Sequence, residues 1–184
     1  MSQSNIAFRK IFIYSLRLIF IILLAFVLFI VLQMIRHPGQ PPSFLGYQPY
    51  TVVSNSMKPT FETGDLVIVK MLEAKDITVH DVITFQDSEG RFVTHRVVDI
   101  SQEDGSPVMK TKGDNNNVVD DDIVTSDALI GRQAFLIKNG GFIARFASSS
   151  LGFMLLIIVP LIGYVSLTLY ERIFKSNQVK KSST

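Results

Sequence analysis

Two hydroxyl groups lie close together at residues 54–59, on Ser54 and Ser56, directly after the apolar run 50–53. An extended backbone would aim both hydroxyls at the same side, because side chains alternate along a strand. A serine nucleophile needs a general base, a third group that orients the base, and hydrogen-bond donors for the oxyanion. The stretch is therefore a candidate nucleophile site, and the rest of the chain must supply those groups.

The chain contains three histidines that could act as the base. His37 lies in a connector rich in proline and glycine, and His80 lies at a predicted turn, so both are interpreted as solvated polar residues. His95 lies inside a predicted strand, residues 92–100, with Val93 on the same face by the period of two. That position fits a catalytic base, and it also fits a half-buried strand histidine without chemistry.

A loop at residues 112–122 is rich in aspartate and could supply the orienting carboxylate. Its candidates are Asp114 and Asp120, with Asp121 and Asp122 adjoining. An acidic surface loop or a calcium site is the alternative, because Asp and Asn oxygens suit a hard cation. The spacing does not match the EF-hand pattern of Asp-x-Asp-x-Asp-Gly with a later glutamate. The loop is a candidate source of the orienting carboxylate only because a serine and a histidine precede it on the same chain.

Between the apolar ends, the sequence consists of short β-branched runs separated by turns. Two turns are predicted at residues 61–65 and 87–90, where glycine and acidic residues cluster. Such spacing favours an all-β barrel or sandwich over βαβ units. The predicted strands cover residues 66–71, 82–85, 92–100, 108–112 and 128–137.

Both ends of the chain carry long apolar runs. Residues 18–35 contain no charge, and residues 151–170 form a second uncharged run. A membrane-spanning helix needs about 20 predominantly apolar residues, so two spans are predicted. Arg17 can snorkel to the headgroups from near a helix end, and Pro160 is tolerated in a membrane helix. A cleaved signal peptide is the alternative for the first run, but the run exceeds an h-region of roughly 7–15 residues and no Ala-x-Ala-like site follows.

Charge sets the predicted orientation. The N-terminal flank and the C-terminal tail each carry a net charge of +3, whereas the segment between them has eleven Lys and Arg against fifteen Asp and Glu, or −4. By the positive-inside rule, both termini are cytoplasmic and the middle segment is extracytoplasmic. The predicted organisation is a cytoplasmic N-terminus at 1–10, spans at 11–35 and 146–170, an extracytoplasmic β-rich domain at 36–145 and a cytoplasmic tail at 171–184.

Composition excludes several kinds of chemistry. The chain has no cysteine, which removes disulfides, cysteine–zinc sites and thiol catalysis. Hydrophobic residues make up 47% of the chain, which is high for a soluble protein and reflects the two apolar ends. The acidic middle segment gives no reason to expect nucleic acid as a partner, and neither a cofactor nor a metal is predicted.

An ordered set of short motifs resembles that of type I signal peptidases. It resembles the ER-type branch, found in eukaryotes, archaea and sporulating Gram-positive bacteria, because His95 stands where the common bacterial branch has lysine. His80 departs from the family, which often has glycine at this position. Five motifs in one order between two suitable spans are far more specific than any one alone. They are Ser54-x-Ser56-Met57-x-Pro59, Gly64-Asp65, Asp81-Val-Ile-Thr-Phe85, Thr94-His95-Arg96-Val97 and Lys112-Gly113-Asp114-Asn115-Asn116 with Asp120.

The resemblance implies roles for five residues. Ser56 matches the nucleophile, and His95 matches the general base that takes its proton and returns it to the leaving amine. Asp114 and Asp120 both match acidic positions of the family. Asp120 is the preferred partner of His95, and Asp114 is expected to shape the loop. The Ser54 hydroxyl matches an oxyanion donor that acts beside the Ser56 backbone N–H.

The resemblance also implies a fold and an activity. The expected fold is membrane-anchored and mainly β, with a signal-peptidase-like (LexA-like) catalytic domain flanked by two transmembrane helices. The expected activity is that of a serine endopeptidase of the cell membrane, which removes N-terminal signal peptides that have small residues before the cleavage point. Its partners would be exported preproteins and the lipid bilayer, with an export translocon as a further candidate. Met57 and Phe61, close to the nucleophile, are expected either at the membrane surface or in the core.

Two alternatives from other classes remain. A catalytically silent membrane adaptor of the same fold would not need Ser56, His95 and Asp120. A self-cleaving, repressor-like relative with a Ser–Lys dyad would need Lys70 or Lys75 as its base. The motif around His95 and the two predicted spans favour the peptidase over both.

Overall fold

The computed structural model describes the backbone of residues 3–182 and the side chains of residues 11–173. The chain divides into two compact units, one formed by Met1–Pro38 with Ala147–Thr184 and the other by Gly39–Phe146. The second unit contains every strand and all five candidate site residues.

The second unit is built on six strands, and each predicted strand overlaps an observed one. They are β1 Tyr47–Thr51, β2 Leu66–Met71, β3 Val82–Gln86, β4 Phe92–Glu103, β5 Ser106–Lys112 and β6 Leu129–Ile137. All pairs are antiparallel, in the order β1-β2-β6-β3-β4-β5. The mainly β fold is therefore confirmed. Turn spacing alone predicts a barrel or a sandwich, whereas β6 pairs with both β2 and β3 and so joins the strands into one continuous sheet.

Two tight turns place β4 between its neighbours. In the predicted β3–β4 turn, the Asp87 side chain accepts hydrogen bonds from the backbone N–H groups of Glu89 and Arg91 at 3.0 and 2.8 Å. In the β4–β5 turn, Asp104 and Gly105 have positive φ angles of 50° and 78°, as two-residue hairpin turns require. These turns fix the register of the strand that carries the candidate base.

The centre of the sheet depends on one glycine. Gly131 of β6 pairs with Met71 of β2 on one side and with Thr84 of β3 on the other. A Cβ atom at Gly131 would lie 2.0 Å from the Lys70 backbone oxygen, so a larger residue would separate the strands. The glycine therefore allows β6 to join the two halves of the sheet.

The core contains two clusters of buried side chains. One is formed around Ile83, Phe85, Val97, Met109 and Val124, and the other by Met57, Phe61, Val67, Val69 and Val82. Met57 and Phe61 are 1% and 3% exposed, so they belong to the core and the alternative at the membrane surface is wrong. Burying a side chain of this size contributes about 1.5–3 kcal/mol. This packing anchors the chain immediately after Ser56.

Three α-helices and one short 3₁₀ helix, Ala74–Asp76, complete the described chain. The α-helices are α1 Gln3–Arg36, α2 Gly140–Ser148 and α3 Ser150–Ser182. Within α1 and α3, the segments Ile11–Arg36 and Ser150–Ile173 are long and apolar enough to cross a membrane. Most of their side chains are exposed, whereas a core helix of a soluble protein would bury its apolar residues. The flanking helices that the sequence predicts are therefore present.

Two features near these helices add to the sequence prediction. Helix α2 occupies the entry to the second span, where the sequence leaves the start of the helix open. The Arg17 guanidinium donates a hydrogen bond to the Glu171 carboxylate within the first unit, so its charge is balanced by a protein partner. The predicted orientation depends partly on five charged residues whose side chains lie outside the described residues, namely Arg9, Lys10, Lys175, Lys180 and Lys181.

Candidate active site

The segment that carries Ser54 and Ser56 is a bend followed by turns. The expectation of an extended backbone is wrong, because β1 already ends at Thr51. The two hydroxyls nevertheless meet, with 3.2 Å between Ser54 Oγ and Ser56 Oγ. The Asn55 side-chain oxygen accepts hydrogen bonds from the backbone N–H and the hydroxyl of Thr63, at 3.2 and 3.1 Å. These bonds, rather than strand pairing, hold the segment in shape.

The Ser56 backbone is held by the loop that contains Asp114. The Ser56 carbonyl accepts a hydrogen bond from the Asn115 N–H at 2.7 Å. Gly113 packs against the same carbonyl, and a Cβ atom there would lie 2.7 Å from the Ser56 oxygen. The close approach explains the need for glycine, and it fixes Ser56 against a loop that is distant in sequence.

His95 lies between Ser56 and Asp120. Its Nε2 is 3.2 Å from the Ser56 hydroxyl oxygen, and its Nδ1 is 2.6 Å from Asp120 Oδ2. Because a carboxylate only accepts hydrogen bonds, Nδ1 carries the proton and Nε2 can accept one from the Ser56 hydroxyl. His95 is 8% exposed, so most of the ring is screened from water. The arrangement places a hydroxyl beside a base whose orientation is fixed.

Asp120 is held in turn by Thr111 of β5. The Thr111 hydroxyl donates to Asp120 Oδ2 at 2.7 Å, and the Thr111 carbonyl accepts the Asp120 N–H at 2.9 Å. Thr111 is fully buried and pairs with Val97 of β4, two residues after His95. The base and its carboxylate are therefore both attached to the β4–β5 pair. Sequence reasoning missed Thr111, because threonine is common in strands and gives no separate signal.

Asp114, the other candidate acid, contacts Arg96. Arg96 donates from Nε to Asp114 Oδ1 at 2.8 Å and from Nη2 to Oδ2 at 2.7 Å, which makes a bidentate pair. The Thr60 hydroxyl also donates to Asp114. The hydrogen bond from Arg96 lowers the pKa of Asp114 in spite of its partial burial, and the same bond raises the pKa of Arg96. The pair ties the Asp114 loop to β4 and to the turn that follows Ser56.

Arg96 also reaches the backbone at His80. Its Nη1 donates to the His80 carbonyl at 2.9 Å. His80 has a φ of 77°, in the left-handed region that favours glycine. Arg96 belongs to one of the motifs, but sequence reasoning gave it no role. The available signal was that one motif contains an arginine and another an aspartate, two residues that could form an ion pair.

The alternative base residues lie elsewhere. Among the side chains of residues 11–173, the hydroxyl of Ser56 is hydrogen-bonded to His95 and Ser54, and to neither Lys70 nor Lys75. Lys75 Nζ lies 2.6 Å from Glu73, and this hydrogen bond raises the pKa of Lys75 and keeps it protonated. The Ser–Lys alternative therefore has no geometric basis.

The aspartate-rich loop makes contacts with protein groups. Asp114 is paired with Arg96, and Asp122 accepts a hydrogen bond from the Ser88 hydroxyl at 3.0 Å. In the part of the chain that the structure describes, no three His, Asp or Glu side chains are grouped as a metal site. The carboxylates of Asp114 and Asp122 are therefore both held by protein partners.

Fold and site together define a class of protein. A mainly β unit holds a buried histidine between a serine hydroxyl and an aspartate, an arrangement that serine hydrolases use on several unrelated folds. The same chain carries two helices that are long and apolar enough to cross a membrane. These features match the class of membrane-anchored serine hydrolases.

Comparison with known proteins finds relatives that are signal peptidases, although no family model matches the chain. The chain is 42% identical over 100 residues to "Signal peptidase I W" of Bacillus subtilis (strain 168), covering 52% of this chain and 53% of the relative. It is 34% identical over 102 residues to the signal peptidase complex catalytic subunit sec11 of Dictyostelium discoideum, covering 50% and 56%. Over 123 residues it is 32% identical to the catalytic subunit SEC11 of Eremothecium gossypii, covering 65% and 64%.

The chain is a homologue of signal peptidase I, and its relatives include a bacterial signal peptidase I and eukaryotic catalytic subunits of the signal peptidase complex. The resemblance found in the sequence is therefore confirmed. The matched part spans about half the length of the first two curated relatives. Family and apolar helices together indicate a membrane location.

Proposed function

We propose that this chain is a membrane-bound serine endopeptidase that cleaves N-terminal signal peptides from exported preproteins. The observation that carries the proposal is the position of His95, which lies within hydrogen-bond distance of both Ser56 and Asp120. The homology to signal peptidase I supports the substrate class.

Ser56 is the nucleophile of the first step. As its Oγ attacks the carbonyl carbon of the scissile peptide bond, His95 Nε2 takes the hydroxyl proton. The Nδ1–H remains bonded to Asp120, whose carboxylate stabilises the imidazolium that forms. The tetrahedral intermediate collapses as His95 gives the proton to the leaving amine. The products are the new N-terminus of the mature protein and an acyl ester on Ser56.

The second step uses the same base. His95 takes a proton from a water molecule that attacks the ester carbonyl, and then returns a proton to Ser56 Oγ as the signal peptide leaves as a carboxylic acid. A histidine oriented by a carboxylate can do this near neutral pH, whereas a lysine base must first be desolvated to lose its proton. The buried His95 therefore suffices for both steps.

Ser54 is the proposed side-chain donor to the oxyanion. Its hydroxyl lies 3.2 Å from Ser56 Oγ, the atom that bonds to the reacting carbonyl carbon. From that position it can reach the carbonyl oxygen as negative charge develops there, beside the Ser56 backbone N–H. Such donors act mainly in the transition state, where they matter for rate more than for binding.

Asp114 and Thr111 are proposed to position the reacting groups. Asp114 holds its loop through Arg96, and that loop contacts the Ser56 carbonyl. Thr111 holds the Asp120 carboxylate through the hydrogen bond that its hydroxyl donates. Neither side chain is assigned a contact with substrate.

The proposed orientation places both termini in the cytoplasm and the catalytic unit outside. Its support is the net charge of +3 on each end against −4 between them. The partners proposed with it are exported preproteins and the lipid bilayer, and an export translocon is a further candidate. A reporter fused after Tyr170 should read as cytoplasmic, and an extracytoplasmic reading would refute this topology.

The activity is tested with the full chain in proteoliposomes and a reporter preprotein. Wild type should release the mature reporter, and Ser56→Ala and His95→Ala should each lower the rate of release to a residual level about 10⁶-fold below it. Ser101→Ala is the matched control, because Ser101 is an exposed serine on β4. Normal processing by Ser56→Ala would refute the enzyme proposal and favour the alternative, a catalytically silent membrane adaptor with the same fold.

A further inference from the structure

Helix α2 has an apolar face that the proposed chemistry does not use. Phe142, Ile143 and Phe146 fall on one side of it, because residues three and four apart share a helix face. Phe142 is 63% exposed and Ile143 is 75% exposed. Large neighbouring apolar side chains left this open usually mark an interaction surface. Arg145 is also exposed and borders this face, where a cation could reach lipid phosphates.

The start of α2 is fixed to the segment that follows the nucleophile. The Asp65 carboxylate accepts the Asn139 N–H at 2.9 Å, and the Gly64 carbonyl accepts the Gly141 N–H at 3.0 Å. Gly141 packs so closely that a Cβ atom there would lie 2.6 Å from Thr51 Cγ2. Hydrogen bonds from the Glu62 and Asn139 backbone lower the pKa of Asp65, so this carboxylate stays charged and holds its partners. Helix α2 therefore cannot tilt independently of this segment.

The same two residues also hold the approach to the nucleophile. The Val52 N–H donates to the Asp65 carbonyl at 2.9 Å, and the Gly64 N–H donates to the Val52 carbonyl at 2.9 Å. Val53, which directly precedes Ser54, is 74% exposed. Because Gly64 and Asp65 bind both α2 and Val52, the direction of α2 determines how this end of the catalytic unit faces its surroundings.

Chain continuity limits where α2 can end. Helix α2 ends at Ser148, and the second candidate span begins at Ser150. Two residues of chain reach at most about 7 Å. The end of α2 must therefore lie where a membrane helix enters the bilayer, which is where amphipathic helices rest with their apolar side in the headgroup and acyl boundary.

We propose that α2 is an interfacial helix that lies along the bilayer surface, with Phe142 and Ile143 among the lipids. Through Asp65 and Gly64, it holds the segment from Val52 to the nucleophile at a fixed distance from the membrane. The proposed contact of α2 with lipid is argued from the helix and the span that follows it, independently of any catalytic activity. Its consequence, that the site meets a membrane-inserted signal peptide in place, rests on the proposed function.

The lipid contact is measured with a tryptophan, since the natural chain contains none. The full-length variants Ile143→Trp and, as control, Val98→Trp on the exposed part of β4 are reconstituted in vesicles of phosphatidylcholine and phosphatidylglycerol. Acyl chains brominated near the headgroup should quench the fluorescence of Ile143→Trp by about twofold or more and leave that of Val98→Trp nearly unchanged. Equal, weak quenching of both, or a blue-shifted but unquenched Ile143→Trp, would place the helix in water or against protein and overturn the proposal.

A second arm tests the consequence for cleavage. Ile143→Asn should slow processing of a membrane-inserted preprotein by about fivefold or more, because misplacing the site loses alignment with its substrate. Cleavage of a short soluble peptide in detergent should stay the same, and Ile143→Leu should behave as wild type. Equal slowing of both substrates would indicate general damage and count against the proposal. The quenching readout does not depend on cleavage, so loss of the proposed function would leave the placement of α2 independently tested.

Discussion

The hydroxyl of Thr111 offers a sharp test of the site geometry. Thr111→Val keeps the shape of the side chain and removes the donor that lies 2.7 Å from Asp120 Oδ2. A hydrogen bond to a charged group is worth about 1.5–3 kcal/mol, or roughly 10- to 150-fold in rate if all of it is lost in the transition state. Asp120 keeps its bonds to His95 and to the Thr111 carbonyl, so the lower end applies. We expect kcat to fall about tenfold, with KM within about twofold.

The assay compares wild type, Thr111→Val and Thr111→Ser with a short soluble substrate. Thr111→Ser retains the donor and should recover most of the lost kcat. Thermal melts of all three variants check that the buried β5 position still folds.

Two results would refute this reasoning. If Thr111→Val retains the wild-type kcat, the hydroxyl does not position Asp120. If Thr111→Ser is as slow as Thr111→Val with equal melting temperatures, the methyl group rather than the hydroxyl matters. In either case the role of Thr111 would be core packing.

Three further predictions concern neighbouring residues. Ser54→Ala should lower kcat by about 10²–10³, whereas Ser54→Thr should retain most activity. Equal activity of wild type and both variants would exclude an oxyanion role for Ser54. Gly113→Ala places a Cβ atom 2.7 Å from the Ser56 oxygen, so it should reduce both stability, by about 1–3 kcal/mol, and cleavage; unchanged melting would contradict the close packing. The pKa of Asp114 lies below its ordinary 3.8, so its pair with Arg96 stabilises the fold above that pH and loses its effect as the pH falls through the folded-state value. Melting temperatures of wild type and Asp114→Asn should therefore differ near neutral pH and converge below pH 3.8, and a gap that persists in acid would count against this pair.

Much of the fold could be predicted because its signals are local. Alternating β-branched runs predict the strands. The turn at Asp87 is predictable because the aspartate side chain accepts hydrogen bonds from backbone N–H groups that follow it. The membrane helices follow from the length of the apolar runs alone. The join of the two halves through β6 was not predictable, because it depends on long-range pairing around Gly131.

The residues of the candidate site were predictable only where they belong to one of the motifs. The motifs name Ser56, His95 and the preferred Asp120, and the fold brings Asp120 rather than Asp114 to His95 Nδ1. Thr111 gave no signal, because its contact with Asp120 arises from a loop that returns to the edge of β5. Helix α2 was missed for a different reason. Its short run of apolar and small residues merges in sequence with the span that follows.

The central claim is that Ser56, His95 and Asp120 act as one catalytic unit. The most direct test is the residual cleavage rate of Ser56→Ala, Asp120→Ala and the double variant, measured on the same preprotein in proteoliposomes. Residues that act together lose their effect together, so the double variant should cleave no more slowly than Ser56→Ala alone. A double variant whose loss is the product of the two single losses would contradict the claim, because it would mean that Asp120 contributes without Ser56.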